Sequence, residues 1–84
     1  MTVGDLIKNK DYDYISWRVL LPGDPEDSRG EFIGVAGSKD GKLISLDGDY
    51  YSEEEEIIRY EEWSNNEIKN GLTVVVKAEI YRGD

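Results

Sequence analysis

Residues 53–63, EEEEIIRYEEW, can be read in two ways, and the choice decides the fold. As a helix at 100° per residue, Ile57, Ile58, Tyr60 and Trp63 fall at roughly 0°, 100°, 300° and 240°, which is no stripe. As a strand, isoleucine and aromatic side chains suit a pleated, half-buried surface. The spacing therefore predicts one helical turn at 52–55, with Ser52 and Glu55 in capping-box positions, and a strand over roughly 56–63. A single longer helix over 53–63 is the competing reading.

The flanks favour a sheet. Residues 64–71, SNNEIKNG, read as a turn region ending in Asn-Gly. Beyond it Leu72, Val74, Val76, Ala78 and Ile80 alternate with Thr73, Val75, Lys77, Glu79 and Tyr81, the pattern of a strand covered on one side only. Upstream, residues 31–37 predict a strand with Phe32, Gly34 and Ala36 opposite Ile33 and Val35. Asp40-Gly41 then marks a hairpin tip before a returning strand over 42–47. Gly34 and Gly37 signal a bulge or a close backbone approach. Residues 12–21 alternate as well, with Ile15, Trp17, Val19 and Leu21 facing one way and Tyr14, Ser16, Arg18 and Leu20 the other. Pro22-Gly23-Asp24-Pro25 opens an exposed loop that runs to Gly30. Thr2 and Asp5 form a capping-box pattern, and Val3, Leu6 and Ile7 predict a helix over 3–9 pinned through Leu6 and Ile7. The expected architecture is one α+β domain over 1–84, with a short N-terminal helix on the apolar face of an antiparallel sheet of four to five strands.

Composition narrows the chemistry. The 84 residues include no cysteine and no histidine, which removes disulfides, the usual zinc ligands and the commonest catalytic base. The serines sit in no nucleophile-elbow context, and the glycines form no phosphate-cradling loop. Asp47-Gly48-Asp49 begins like a calcium loop, but Tyr51, Ser52 and Ile58 fall where that loop needs an oxygen ligand, a glycine and a glutamate. The expectation is a non-enzymatic protein with no catalytic residue, cofactor or dedicated metal site. No apolar run approaches a membrane span and no targeting signal is seen, which predicts a cytoplasmic protein.

Ten basic against 19 acidic residues leave a net charge of −9, which disfavours direct contact with nucleic acid or an anionic membrane. Residues 45–67 alone carry nine carboxylates against Arg59. Such density beside aromatic side chains points to a basic protein partner, met through Asp49, Glu54, Glu56, Glu61, Glu62 and Trp63. Trp17, inside an alternating strand, is expected in the core, and Trp63 either in the core or as a contact anchor. Carboxylates two apart on a strand stand about 6.6–7 Å from each other, near the spacing of successive phosphates. A nucleic-acid mimic occupying the groove of a nucleic-acid-binding protein is therefore an alternative. A small structural protein that self-associates through an edge strand is another, and the oligomeric state is open.

The opening Asp5-Leu6-Ile7 followed by Lys8-Asn9-Lys10-Asp11-Tyr12 resembles the start of small acidic type II anti-CRISPR proteins. The chain is also similar in character to small acidic proteins of bacterial mobile elements. The anti-CRISPR resemblance implies a short helix with an antiparallel sheet, and a protein that blocks a guide nuclease where it would read DNA. Nothing aligns beyond Tyr14, and the resemblance carries over no binding residue.

Overall fold

In the computed structural model, which describes residues 1–25, 27–48 and 51–77, the alternating segments become strands. These are β1 (Tyr14–Leu20), β2 (Glu31–Lys39), β3 (Lys42–Ser45), β4 (Ile57–Trp63) and β5 (Gly71–Lys77), and they form one sheet in the order β3-β2-β1-β5-β4. The longer-helix reading of 53–63 is thereby excluded. The expected helical turn is a single tight turn, in which Ser52 Oγ accepts from the Glu54 N–H at 3.2 Å. Positions 78–81 of the last expected strand lie outside the described residues.

The sheet is mixed, which corrects the all-antiparallel expectation. β1-β2-β3 is an antiparallel meander and β4-β5 an antiparallel hairpin, but β1 and β5 pair in parallel from Tyr14↔Gly71 to Leu20↔Lys77. Turn signals specify only neighbours in sequence. The two blocks join through their most apolar strands, and alternation looks the same in either direction. Direction is decided only when the 46–56 connection carries the chain from β3, at one edge of the sheet, to β4 at the other.

One face of the sheet is covered. Ile15, Trp17, Val19, Leu72, Val74 and Val76 point into the core with Ala36, all buried. Over them lie Tyr12, Tyr51 and the helix α1 (Val3–Ile7), which buries Val3 and Ile7 and half-buries Leu6. The Tyr51 ring stacks on Trp17 at 5.0 Å, and its hydroxyl donates to Asp47. A β-carbon on Gly34 would collide with this hydroxyl and with Asp47, so the strand glycine marks a close approach. The capping box forms in full, Thr2 N–H to Asp5 at 2.9 Å and Asp5 N–H to Thr2 Oγ1 at 3.2 Å. The helix ends at Ile7, not at the expected residue 9.

Two side-chain directions differ from expectation. A register shift opposite Trp17/Arg18 pairs Arg18 with Phe32, which turns Phe32 onto the open face with Val35. Leu21 leaves the strand and is exposed, while Leu20 is buried. The Asp40-Gly41 tip is as read, with φ of 53° and 79°, both positive as a two-residue type I′ hairpin requires.

Candidate functional site

β4 is an edge strand, bonded to β5 on one side only. Its start is covered by the N-terminus. Thr2 bridges to Glu56, the Ile57 N–H donates to the Met1 carbonyl at 2.9 Å, and the terminal ammonium lies 3.3 Å from Glu56. Among the described residues no strand lies outside β4 beyond Ile57. Tyr60, Glu61 and Glu62 are exposed there. At the other edge, Glu53 accepts the outward Leu43 N–H of β3 at 3.1 Å. Both edges are thus partly closed by local groups, a common way of preventing indiscriminate pairing.

The expected site residues do not form one patch. Register with β5 sets Glu62 opposite Leu72 on the covered face, and Glu61 opposite Thr73 and Trp63 opposite Gly71 on the open face. Glu56 sits at the N-terminus, and Glu54 projects from the turn before the strand. Asp49 lies outside the described residues. Within β4 no two carboxylates are two positions apart, since Glu61 has Arg59 and Trp63 there, and Glu62 has Tyr60 and Ser64. No phosphate-like row arises from the strand itself.

Trp63 serves the fold. It lies half-buried over Gly71, meets Tyr14 edge-on at 5.9 Å, and donates from Nε1 to Thr73 Oγ1 at 3.0 Å. A β-carbon on Gly71 would come within 2.6 Å of the indole. Glu62 is held as well. It accepts from the Tyr12 hydroxyl at 2.5 Å and from Lys10 Nζ at 3.2 Å. The Tyr12 bond first, then Lys10, keep its carboxyl below the ordinary glutamate value. Burial, followed by the Glu62 carboxylate, pushes the Tyr12 phenol well above the ordinary tyrosine value.

The open face carries a different chemistry. Its central row runs Arg59, Val75, Arg18, Phe32 across β4, β5, β1 and β2. Phe32, Ile44 and Leu46 are among its exposed apolar side chains, Phe32 at 51% exposure. Arg29, Arg59, Tyr60, Glu61, Thr73 and Val75 line a shallow cavity of about 210 Å³. Sequence reasoning passed over the arginines. Alternation already placed Arg18 on this face, whereas nothing in a loop sequence announces where Arg29 will lie. Among the described residues no group of three or more carboxylates is arranged to hold a metal ion, and no helix is long and apolar enough to cross a membrane. A scan against protein-family models, a search of curated proteins and a search of solved structures each returned no match.

Proposed function

We propose that the protein is a non-enzymatic interaction module that adds a basic strand of a partner protein to the free part of β4. The supporting observation is an edge left open after Ile57, with Tyr60 at 45% exposure and carboxylates on both faces. A strand laid on β4 continues the sheet, so its side chains meet Glu62 on one face and Glu61 on the other. Main-chain bonds supply affinity, and Lys or Arg opposite the two glutamates supplies orientation. The ion pairs of Glu56 and Glu62 with the terminal ammonium and Lys10 are exposed and exchange for a partner's cation at little cost, while the Tyr12 hydroxyl bond to Glu62 stays in place.

An NMR titration with a strand-forming peptide of alternating Lys and Val tests this, with the Glu-for-Lys peptide as control. The Lys peptide should shift the amides of residues 58–62, and Glu61→Gln with Glu62→Gln should weaken it about tenfold at low salt. Glu54→Gln should change it little. Shifts elsewhere, or binding indifferent to both substitutions, refute the siting.

One observation favours a second occupant, another copy of this chain. Antiparallel pairing of two β4 strands centred on Tyr60 sets Arg59 of each opposite Glu61 of the other, and uses only the open stretch. Sedimentation separates the two readings. A dimer lost in Arg59→Glu and regained in Arg59→Glu with Glu61→Arg identifies self-pairing, and a monomer at all concentrations identifies a foreign strand.

A further inference from the structure

The outer side of β4 is not open along its whole length. Met1 and Thr2 lie against its start as a short strand. Thr2 bridges antiparallel to Glu56, and the Ile57 N–H donates to the Met1 carbonyl at 2.9 Å. A register shift between Ile57 and Arg59 makes Ile58 a bulge residue at the same place, and a bulge bends its strand and interrupts the ladder. The regular, uncovered stretch is therefore residues 59–63. At its far end the chain leaves through exposed Ser64 and Asn65, and no described strand lies outside it.

Met1 and Thr2 are firmly anchored. Thr2 also caps α1, its Oγ1 accepting from the Asp5 N–H at 3.2 Å and its own N–H donating to Asp5 at 2.9 Å. The next residues tie down the same point. Val3 N–H donates to the Glu55 carbonyl at 3.0 Å and Gly4 N–H to the Glu53 carbonyl at 2.8 Å, and the Val3 side chain is fully buried. Lifting Met1 and Thr2 off β4 breaks a helix cap and pulls on the core. An incoming strand would gain there only the bond that Ile57 already makes.

Given strand addition at β4, on which this rests, we infer that the added strand runs antiparallel to β4 and halts at Ile58. The partner then offers a basic segment whose C-terminal side ends there, or turns away at a proline or glycine. The edge itself sets the direction. β5 and Thr2 both pair antiparallel with β4, and antiparallel ladders are the slightly more stable kind. A strand in that orientation lies in line with Met1 and Thr2 and points the same way, so its C-terminal end meets Met1. Running straight on would place its next residue where Met1 lies. Its N-terminal side is free to continue past Trp63. Proline, which has no N–H to leave unpaired, and glycine, which turns freely, suit the exit.

Amide NMR titration with acetylated and amidated peptides tests this. The core is an alternating Lys-Val pentapeptide. A second peptide adds Val-Thr-Val-Thr after it, and a third replaces the first added residue with proline. All three should shift the amides of residues 59–63 with the same affinity, and the Thr2 and Val3 amides should keep their exchange rates. A nitroxide on the C-terminal end of the core should broaden Thr2, and one on its N-terminal end Ser64. A gain of about tenfold from the extension, lost again with proline and accompanied by faster exchange at residues 2–7, means that the strand displaces Met1 and Thr2, and overturns the stop. Broadening of Ser64 by the C-terminal label overturns the direction. Strand addition survives both results. No shift at residues 59–63 with any peptide removes strand addition, and the stop with it.

Discussion

Gly71 shows how a single position can be misread by its neighbours. Asn70-Gly71 has the letters of a tight turn, yet Gly71 is the first residue of β5, and its φ is not among the positive ones. The turn is organised earlier, by Asn65, whose Oδ1 accepts from the Glu67 and Ile68 N–H groups at 2.8 Å each. The glycine is needed because Trp63 lies flat over it. Gly71→Ala should therefore displace the indole, break its bond to Thr73 and destabilise the protein by about 1–3 kcal/mol, the usual cost of overpacking. Trp17 stays buried, so a red shift of the remaining tryptophan emission in the folded variant reports the displacement. Unchanged emission and an unchanged denaturation midpoint would remove the packing role given to Gly71.

Among the elements, α1 depends most on its surroundings. It has five residues, too few to persist alone, and its first N–H groups are satisfied from the acidic turn. Val3 donates to the Glu55 carbonyl at 3.0 Å and Gly4 to the Glu53 carbonyl at 2.8 Å. The backbone of the glutamate run thus closes the helix, while the Glu53 side chain closes the β3 edge. Thr2→Ala removes the cap and should cost about 1 kcal/mol, with faster amide exchange in residues 3–7 and little change in the strands. An unaffected exchange pattern would mean that the turn alone holds α1. The periodicity of residues 3–7 and the capping letters were legible because both are local. The expected extension to residue 9 was not, since the helix stops at a C-cap on Lys8 and the next residues are exposed.

At the level of the whole molecule, Tyr12 and Glu62 tie the layer covering the core to the far edge strand across a sequence separation of 50. The link is pH-sensitive in two directions. Glu62, and Asp5 through the Thr2 N–H, titrate below their ordinary values when folded. They therefore contribute stability above the unfolded carboxylate range, and lose it as pH falls through the lowered values. Tyr12 titrates above its ordinary value, so its contribution is complete below about pH 10 and is lost as pH rises further. Thermal midpoints should be flat between about pH 6 and 9 and fall below about pH 4 and above about pH 10. Tyr12→Phe should flatten both limbs relative to wild type, a comparison in which the common effect of net charge cancels. Parallel curves for the two proteins would show that the link is not energetically coupled to folding.

The strand character of β1, β2, β3 and β5, the hairpin tip at Asp40-Gly41, the helix cap and the buried alternation Ile15-Trp17-Val19 and Leu72-Val74-Val76 were determined by the sequence alone, because each depends on periods and turn residues within a few positions. Residues 53–63, by contrast, became a strand only in the fold. Tertiary structure decided the parallel join of β1 to β5, the separation of Glu61 from Glu62 across the sheet, and the gathering of Arg18, Arg29 and Arg59. Those outcomes follow from chain path and strand register. A period-two pattern is indifferent to direction and to neighbour, so only the closing of the whole core selects among them.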